Sequence, residues 1–406
     1  MLNAARRVLG AAVAWTGAQH LSYFASAWVV TALAGVSAFG ALGQALALGL
    51  IGSLAITLRL DYAAQLAPRA ALAESLFRLA SQCSSVFGAA AAVLALAAWR
   101  WCDAPAWVAA GALAVAALAL LQVRTARLVR QGRLGAAAAL RSAPPLAMLP
   151  LQAVFAGLPN PSAVVWSVPC AAWLVLAALT VARLPRGAGP GPALGRRRIV
   201  RLLRARWPFV RAEWPSLMLN TFANHGQVLL VGALADDAAA GVMGLALRLA
   251  MLPTSLLGPA LADALRSRVV AARSRASARA LVRRALPPMA GVSALVHALA
   301  FALLPWLCSL FFAAHGPELA RATQWLLLLG ALRLAISPAT FLLAWRGWVA
   351  LNLAGQSGLF LAALASVAWG LPRGGVPGVA FAYALAAAGI YAAYLWASLR
   401  ALRGDN

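Results

Sequence analysis

The sequence predicts an all-α polytopic membrane protein of about twelve transmembrane helices in two parallel six-helix repeats. Three observations carry that prediction. The 406-residue chain is 63% hydrophobic, has a mean hydropathy of +0.83 and is only 11% charged, against roughly 25% charged in a soluble globular protein. Apolar stretches of about 20 residues, the length that crosses a bilayer as a helix, recur from end to end. The second half repeats the first at a constant offset, with ALAGVSAFGALGQALAL at 32–48 matching ALADDAAAGVMGLALRL at 233–249.

Taken in order, the apolar segments fall near 10–33, 38–58, 80–99, 105–123, 135–157 and 162–182, then near 212–234, 238–264, 285–313, 322–344, 347–370 and 375–399. Arg6-Arg7 precedes a first segment too long for a cleaved signal sequence, so it reads as an uncleaved helix. Charge sets the orientation. The chain has 34 basic residues, all arginine, against 9 acidic ones, a formal +25. With the N-terminus inside, the inner connections hold Arg6, Arg7, Arg59, Arg69, Arg78, Arg124, Arg127, Arg130, Arg133, the Arg183–Arg211 and Arg266–Arg284 stretches, Arg346, Arg400 and Arg403. The outer connections hold only Arg100, Arg321 and Arg373. That loop-by-loop alternation is the positive-inside pattern, and it places both termini in the cytoplasm. It also accounts for the basic balance without nucleic acid.

The midpoint divides the chain into a lobe at 1–184, a connection at 185–205 and a lobe at 206–406. The connection holds GAGPGPALG at 187–195, followed by RRRIVRLLR. Its basic and apolar residues segregate at helical spacing, so it is expected to lie as an amphipathic helix on the inner leaflet. The repeat pairs Gly40 with Gly241, Gly43 with Gly244, Gln19 with Asn220 and, after one inserted residue, Asp61 with Asp263. Because the offset preserves orientation after six spans, the repeats are parallel.

No catalytic constellation is present. His20, His225, His297 and His315 are scattered, and HExxH, GxSxG and P-loop motifs are missing. Cys83, Cys102, Cys170 and Cys308 form no CxxC pair and read as small hydrophobes. Asp236-Asp237 reads as a solvated outer turn. No enzyme activity, metal or cofactor is expected, and no outer connection is long enough for a glycan polymerase or ligase domain.

What remains is polar residues inside spans, where a charge costs roughly 2.5–3.5 kcal/mol on insertion scales and therefore faces a cavity or a partner. Arg248 and Arg333 are candidate cavity residues, whereas Arg141 lies near the inner surface and snorkels. Asn220, Asn224 and Gln227 share one helix face at i, i+4, i+7, with His225 beside them, and Gln19 and His20 lie along the first span. That stripe reads equally as cavity lining or as interhelical hydrogen bonding. A guanidinium holds phosphate oxygens in pairs, so a positively lined cleft suits a large anionic amphiphile. Prolines at 144–145, 215, 253, 259, 287–288, 305 and 338 permit bends in the spans.

The run from Pro215 to Arg268, PSLMLNTFANHGQVLLVGALADDAAAGVMGLALRLAMLPTSLLGPALADALRSR, resembles polysaccharide flippases of the Wzx type. These belong to the multidrug/oligosaccharidyl-lipid/polysaccharide (MOP) exporter superfamily. FGALGQALALGLIGSLAITLRLDYA in the first half resembles the corresponding stretch, ending at Leu58-Arg59-Leu60-Asp61. The resemblance covers about a third of the chain. It implies two six-helix lobes that move undecaprenyl-diphosphate-linked oligosaccharide across the bacterial inner membrane by alternating access. It makes Arg248 and Arg333 diphosphate or acidic-sugar contacts, sets Arg59 at the inner mouth, and leaves Asp61 and Asp263 for ion coupling or for pairing with neighbouring arginines. The partners implied are the lipid-linked substrate, membrane lipids and other polysaccharide-assembly proteins. The two further C-terminal helices of the lipid II branch are missing from this pattern, which weighs against lipid II. Three alternatives stand beside it. A major-facilitator pump would carry a Gly- and Arg-rich motif where this chain has RLDYAAQLAPRAA. A drug or cation antiporter of the same superfamily would need more intramembrane carboxylates. A non-transporting scaffold of a glycan-assembly complex would tolerate loss of Arg248 and Arg333.

Overall fold

A computed structural model describes residues 2–181, 195–270, 275–312, 315–337, 342 and 349–401, without side chains at 2–13, 196, 259–260, 262–264, 266–268, 270, 275, 349 and 401. The GAGPGPALG linker up to residue 194, Pro338 and Arg346 lie outside these residues. Almost all described residues are helical, and no strand occurs among them. The helices are α1 (Leu2–Ile56), α2 (Leu60–Gln65), α3 (Ala70–Trp101), α4 (Ala106–Arg130), α5 (Leu134–Ala156), α6 (Ser167–Val181), α7 (Arg196–Leu234), α8 (Asp237–Val270), α9 (Arg275–Phe311), α10 (Gly316–Ile336) and α11 (Val349–Ala401), with a 3₁₀ turn at Pro161–Trp166.

Among the described residues, eight helical stretches are long and apolar enough to cross a membrane. Two of them each hold two of the segments expected from sequence, because glycine breaks the helix between them. Gly35 sits at φ 86° inside α1, and Gly374 and Gly375 leave helical geometry inside α11, Gly375 at φ 57°. A positive φ strains any residue with a Cβ, so glycine is what permits a reversal without a loop. The fifth expected segment is α5 and the seventh lies within α7; neither is among the eight.

Two compact units form, Met1–Thr221 with Asp236–Gly241, and Phe222–Ala235 with Val242–Asn406. In the first, α1 packs on α4 and α5, and α3 packs on α4. At one end a cluster of Leu60, Ala64, Leu76, Phe77, Leu79, Val123 and Ala126 receives Ile199, Leu202, Leu203 and Phe209 of α7. On the same helix Val200 and Trp207 stay exposed, as do Arg197, Arg201 and Arg204. Arg198 donates to Ser75 Oγ at 2.8 Å. Trp214 Nε1 donates to Ala55 O at 3.0 Å, adding a second donor to a last-turn carbonyl of α1 that otherwise accepts from Leu58 N at 3.3 Å.

In the second unit, α10 packs on α9 and α11, with Trp325 against Phe381 at 4.8 Å and Phe222 against Phe360 at 5.2 Å between ring centroids. Gly370 and Gly378 bring the two limbs of α11 into backbone contact. One side of α9 presents Leu295, Leu299, Leu303, Trp306 and Leu310, all exposed. A bare apolar stripe at helical spacing is what a lipid-facing surface requires.

Within the first unit, Gly40 and Gly241, the two glycines matched by the repeat, pack against each other. A Cβ on Gly40 would run into the Asp237 carbonyl oxygen and stand 2.8 Å from Gly241 N; one on Gly241 would meet Val36 O. These are backbone atoms and cannot give way. Gly17, also helical, has nothing within 4 Å. Gly40→Ala is therefore expected to destabilise the protein by about 1–3 kcal/mol through overpacking. Gly17→Ala should be neutral or gain up to about 1 kcal/mol of helix propensity. Thermal unfolding of the two variants in detergent checks this, and equal melting temperatures would overturn it.

Candidate functional site

The expected cavity arginines come together in the second unit. Arg333 lies in the last turn of α10, where a cation is favoured by the helix dipole. Its Nη1 donates to Asn224 Oδ1 of α7 at 2.7 Å and approaches Met251 Sδ of α8 at 3.7 Å. Arg248, on α8, is half-buried with its Nη1 enclosed. His225, next to Asn224, lies within electrostatic reach of both guanidinium groups, and Tyr383 of α11 lies within reach of Arg333. Asn224 thus touches Arg333, and α7, α8, α10 and α11 set an imidazole, a second guanidinium and a phenol within electrostatic reach of this pair or of one another. Low local dielectric strengthens the pull of such a centre on an anion, and the guanidinium fork suits paired phosphate oxygens. Neither of these two partners of Arg333 is a carboxylate.

The other members of the polar stripe behave differently. Gln227 is fully buried, and its Nε2 donates back to Ala223 O at 3.3 Å. Asn220 is half-buried on the part of α7 that belongs to the first unit. In that unit, Gln19 Oε1 stands 3.5 Å from Ser142 Oγ, a long and weak contact. His20 is tilted against Tyr23, with centroids 6.3 Å apart.

Arg59 lies in the turn between α1 and α2, and Asp61 in the first turn of α2. Leu58 and Arg59 have positive φ values of 50° and 60°, a strain of about 1–3 kcal/mol each for residues carrying a Cβ. The Arg59 guanidinium stacks over the Tyr62 ring at 4.5 Å. Asp61 is 3% exposed; its Oδ2 accepts from Gln122 Nε2 at 3.0 Å, and its Oδ1 has no hydrogen bond. Of the two roles open to Asp61, pairing with the neighbouring Arg59 is not what the structure shows. Asp263 lies on α8, its side chain outside the described residues.

Two polar arrangements escaped the sequence reasoning. Asp236 and Asp237 are exposed, as expected. Asp236 Oδ1 also accepts from Ala239 N at 2.7 Å and caps α8, and Asp237 Oδ1 accepts from Gln44 Nε2 at 2.6 Å. The cap was legible, since an aspartate ahead of a helical run is a helix-start signal. The second arrangement is a buried cluster around His297, Thr254 and Ser293, which has no sequence signature because its partners come from three helices.

No protein-family model matches the chain, and no curated protein matches it significantly in sequence. Solved structures do match. A structure titled as the lipid II flippase MurJ in an inward closed conformation superposes with a TM-score of 0.70 at 12% identity, covering 96% of this chain and 87% of that one. An inward-facing multidrug resistance MATE family transporter of the MOP superfamily gives 0.58 at 13% identity, covering 96% and 94%. MATE in the straight conformation gives 0.56 at 15% identity, covering 98% and 95%. The chain shares the fold of these solved structures. At these identities the match establishes the fold and leaves the substrate to the chain's own residues.

The Asp61–Gln122 pair gives a test of its own. Gln122→Leu strips a buried carboxylate oxygen of its donor and should cost about 1–3 kcal/mol. Asp61→Asn should cost less, and the double variant Asp61→Leu/Gln122→Leu should recover part of the loss. A double-mutant cycle of unfolding free energies checks this, and additive effects would overturn the coupling.

Proposed function

We propose that this chain is a Wzx-type flippase that moves an undecaprenyl-diphosphate-linked oligosaccharide, a polysaccharide or O-antigen repeat unit, across the bacterial inner membrane. The observation that carries the reading is the cationic centre of the second unit, where Arg333, held by Asn224, and Arg248 both bear on His225. The diphosphate is the group such a centre would hold, while the lipid tail stays in the bilayer. The MOP fold supports the transporter class. The flippase neighbour, at a TM-score of 0.70, supports a lipid-linked cargo more than the MATE transporter at 0.58 supports a small one.

In this reading the lobes at 1–184 and 206–406 alternate access, linked by the 185–205 connection, and both termini are cytoplasmic. Arg59 stands at the inner mouth. Gln19, His20, Asn220 and Gln227 serve as lesser contacts, and Asp61 and Asp263 are the carboxylates available for ion coupling. Other polysaccharide-assembly proteins are the expected partners. A second reading, a small-molecule exporter, is favoured by the MATE matches alone. The sequence opposes it, because the chain has just nine acidic residues, and of these Asp61 and Asp263 alone fall near span interiors.

The decisive measurement is a leaflet assay in liposomes carrying labelled undecaprenyl-diphosphate oligosaccharide. The wild-type protein should expose the sugar on the opposite leaflet. Arg248→Ala and Arg333→Ala should each slow this about tenfold or more, since a hydrogen bond to a charged group is worth about 1.5–3 kcal/mol. Arg141→Ala, at an exposed position, should leave it unchanged. Movement that survives both interior substitutions would discard the site. Efflux of small cationic drugs with no movement of lipid-linked sugar would favour the exporter.

A further inference from the structure

Outside the cationic centre, buried polar groups of the second unit gather around one histidine. His297 of α9 is 3% exposed. Its Nδ1 lies 2.8 Å from Ser293 O, one turn earlier on the same helix. A ring nitrogen facing a carbonyl oxygen must carry the hydrogen, so the neutral ring keeps its lone pair on Nε2. Nε2 lies 3.4 Å from Thr254 Oγ1 of α8, and that same Oγ1 lies 3.3 Å from Gly330 O of α10. Alongside, Ser293 Oγ donates to Ala331 O at 2.7 Å. The ring fits because residue 330 is glycine; a Cβ there would stand 2.9 Å from Nε2 and 3.2 Å from Ala250 O.

This set of atoms serves the ring in either charge state. In the neutral state the Thr254 hydroxyl gives its hydrogen to Nε2. On protonation the Nε2 lone pair accepts a proton from water and the new N–H donates to Thr254 Oγ1. Thr254 then turns its own hydrogen to Gly330 O, while Nδ1–H stays on Ser293 O throughout. No donor is stranded in either state, and that is the condition for a group to change charge where hydrocarbon surrounds the helices. A histidine serving packing alone needs only one of these arrangements.

We propose that His297 is a proton-binding site that couples proton movement to anion binding in the second unit. Its consequence for transport rests on the flippase reading; proton binding itself does not. Thr254 and Ala250 face the ring from α8, and Gly330 faces it from α10. The charged groups on these helices are Asp237 and Arg248 on α8, and Glu318, Arg321 and Arg333 on α10, with the Asp263, Arg266 and Arg268 side chains outside the described residues. On α9 itself only arginines occur, among them Arg279, Arg283 and Arg284 at its start. Asp237 and Glu318 lie in the first turns of their helices, so no described carboxylate of these helices sits near the ring.

Gly330 precedes Arg333 by less than one turn, and Thr254 follows Met251 by the same interval. Met251 Sδ lies 3.7 Å from Arg333 Nη1, so on both α8 and α10 the residues of the two sites are about 4.5 Å apart along the helix axis. A positive charge on His297 strengthens anion binding at Arg333. By linkage, the bound anion strengthens proton binding to the same degree.

The test begins with the proton. A variant with His20→Asn, His225→Asn and His315→Asn keeps His297 as its sole histidine, and in lipid nanodiscs its ¹⁵N-labelled ring is read by NMR. The expected result is a neutral Nδ1–H tautomer that becomes doubly protonated on acidification between about pH 8 and pH 5, the range in which histidine serves as a switch. A ring that stays neutral throughout would overturn the proposal. In the otherwise native protein, inorganic pyrophosphate should bind several-fold more tightly at the acid end than at the alkaline end. His297→Gln should flatten that dependence, and Thr254→Val, which preserves volume, should flatten it too. A dependence that survives both substitutions would overturn the coupling and direct attention to His225. Titration of His297 together with no flipping of any lipid-linked sugar would support the proton site while removing the flippase.

Discussion

A bilayer interior supplies no hydrogen-bond partner, so every backbone amide that enters it must be satisfied by the chain itself. The architecture follows from that demand. Almost every described residue is helical, and chain reversals are made with as little open backbone as possible. Where α1 and α11 change direction, they do so at Gly35 and at Gly374–Gly375 rather than through loops. Helices surrounded by lipid gain little from burying apolar side chains against one another. Close backbone approach takes over, and Gly40 on Gly241 and Gly370 on Gly378 are points where the chain makes it.

Arginine has two physical roles here, separated by depth. Around α2 and α3 of the first unit the guanidinium groups finish the structure. Arg130 Nη1 donates to Ala64 O and Gln65 O at 2.9 Å, covering the end of α2. Arg127 and Arg78 share Glu74 at 3.1 and 3.2 Å, and Arg198 reaches Ser75. These pairs are half-buried, and ion pairs near a surface add little stability, at most about 1 kcal/mol each. Their charges still fix which end of a helix remains in the cytoplasm in the proposed topology. Deeper in, Arg333 has no carboxylate partner among the described residues and is steadied by the Asn224 amide oxygen. An amide orients a guanidinium without neutralising it, which is what the proposed anion site requires.

Helix class and segment positions were legible in the sequence because hydropathy is a property of single residues summed over a window. Arg248 and Arg333 were legible for the same reason, as charges standing alone in apolar runs. Pairings were not. Gln122 is the partner of Asp61, and Gln44 that of Asp237, and nothing in either neighbourhood names the other. The polar stripe on α7 shows the limit of periodicity. Asn220, Asn224 and Gln227 share a face, yet Asn224 reaches Arg333 while Gln227 turns back on its own helix. The basic helix before Trp207 is amphipathic, as its spacing predicts, but periodicity says only that an apolar face needs cover. Here α2 and α3 supply the cover.

The repeat itself shows what each half has to keep. Glycines 40 and 241 match in sequence and meet in space, because a close backbone contact constrains both sides equally. The polar residues have no such tie. At the repeat offset Arg248 stands opposite Ala47, in a stretch of the first half that holds alanine and leucine on either side. The acid of the first repeat, Asp61, is paired with the amide of Gln122, while the second unit gathers cations and histidines. A duplicated scaffold needs its packing glycines twice. In the proposed reading a single anionic headgroup needs its contacts once, so polar divergence over shared packing is the pattern expected of two halves that share a frame and divide the chemistry.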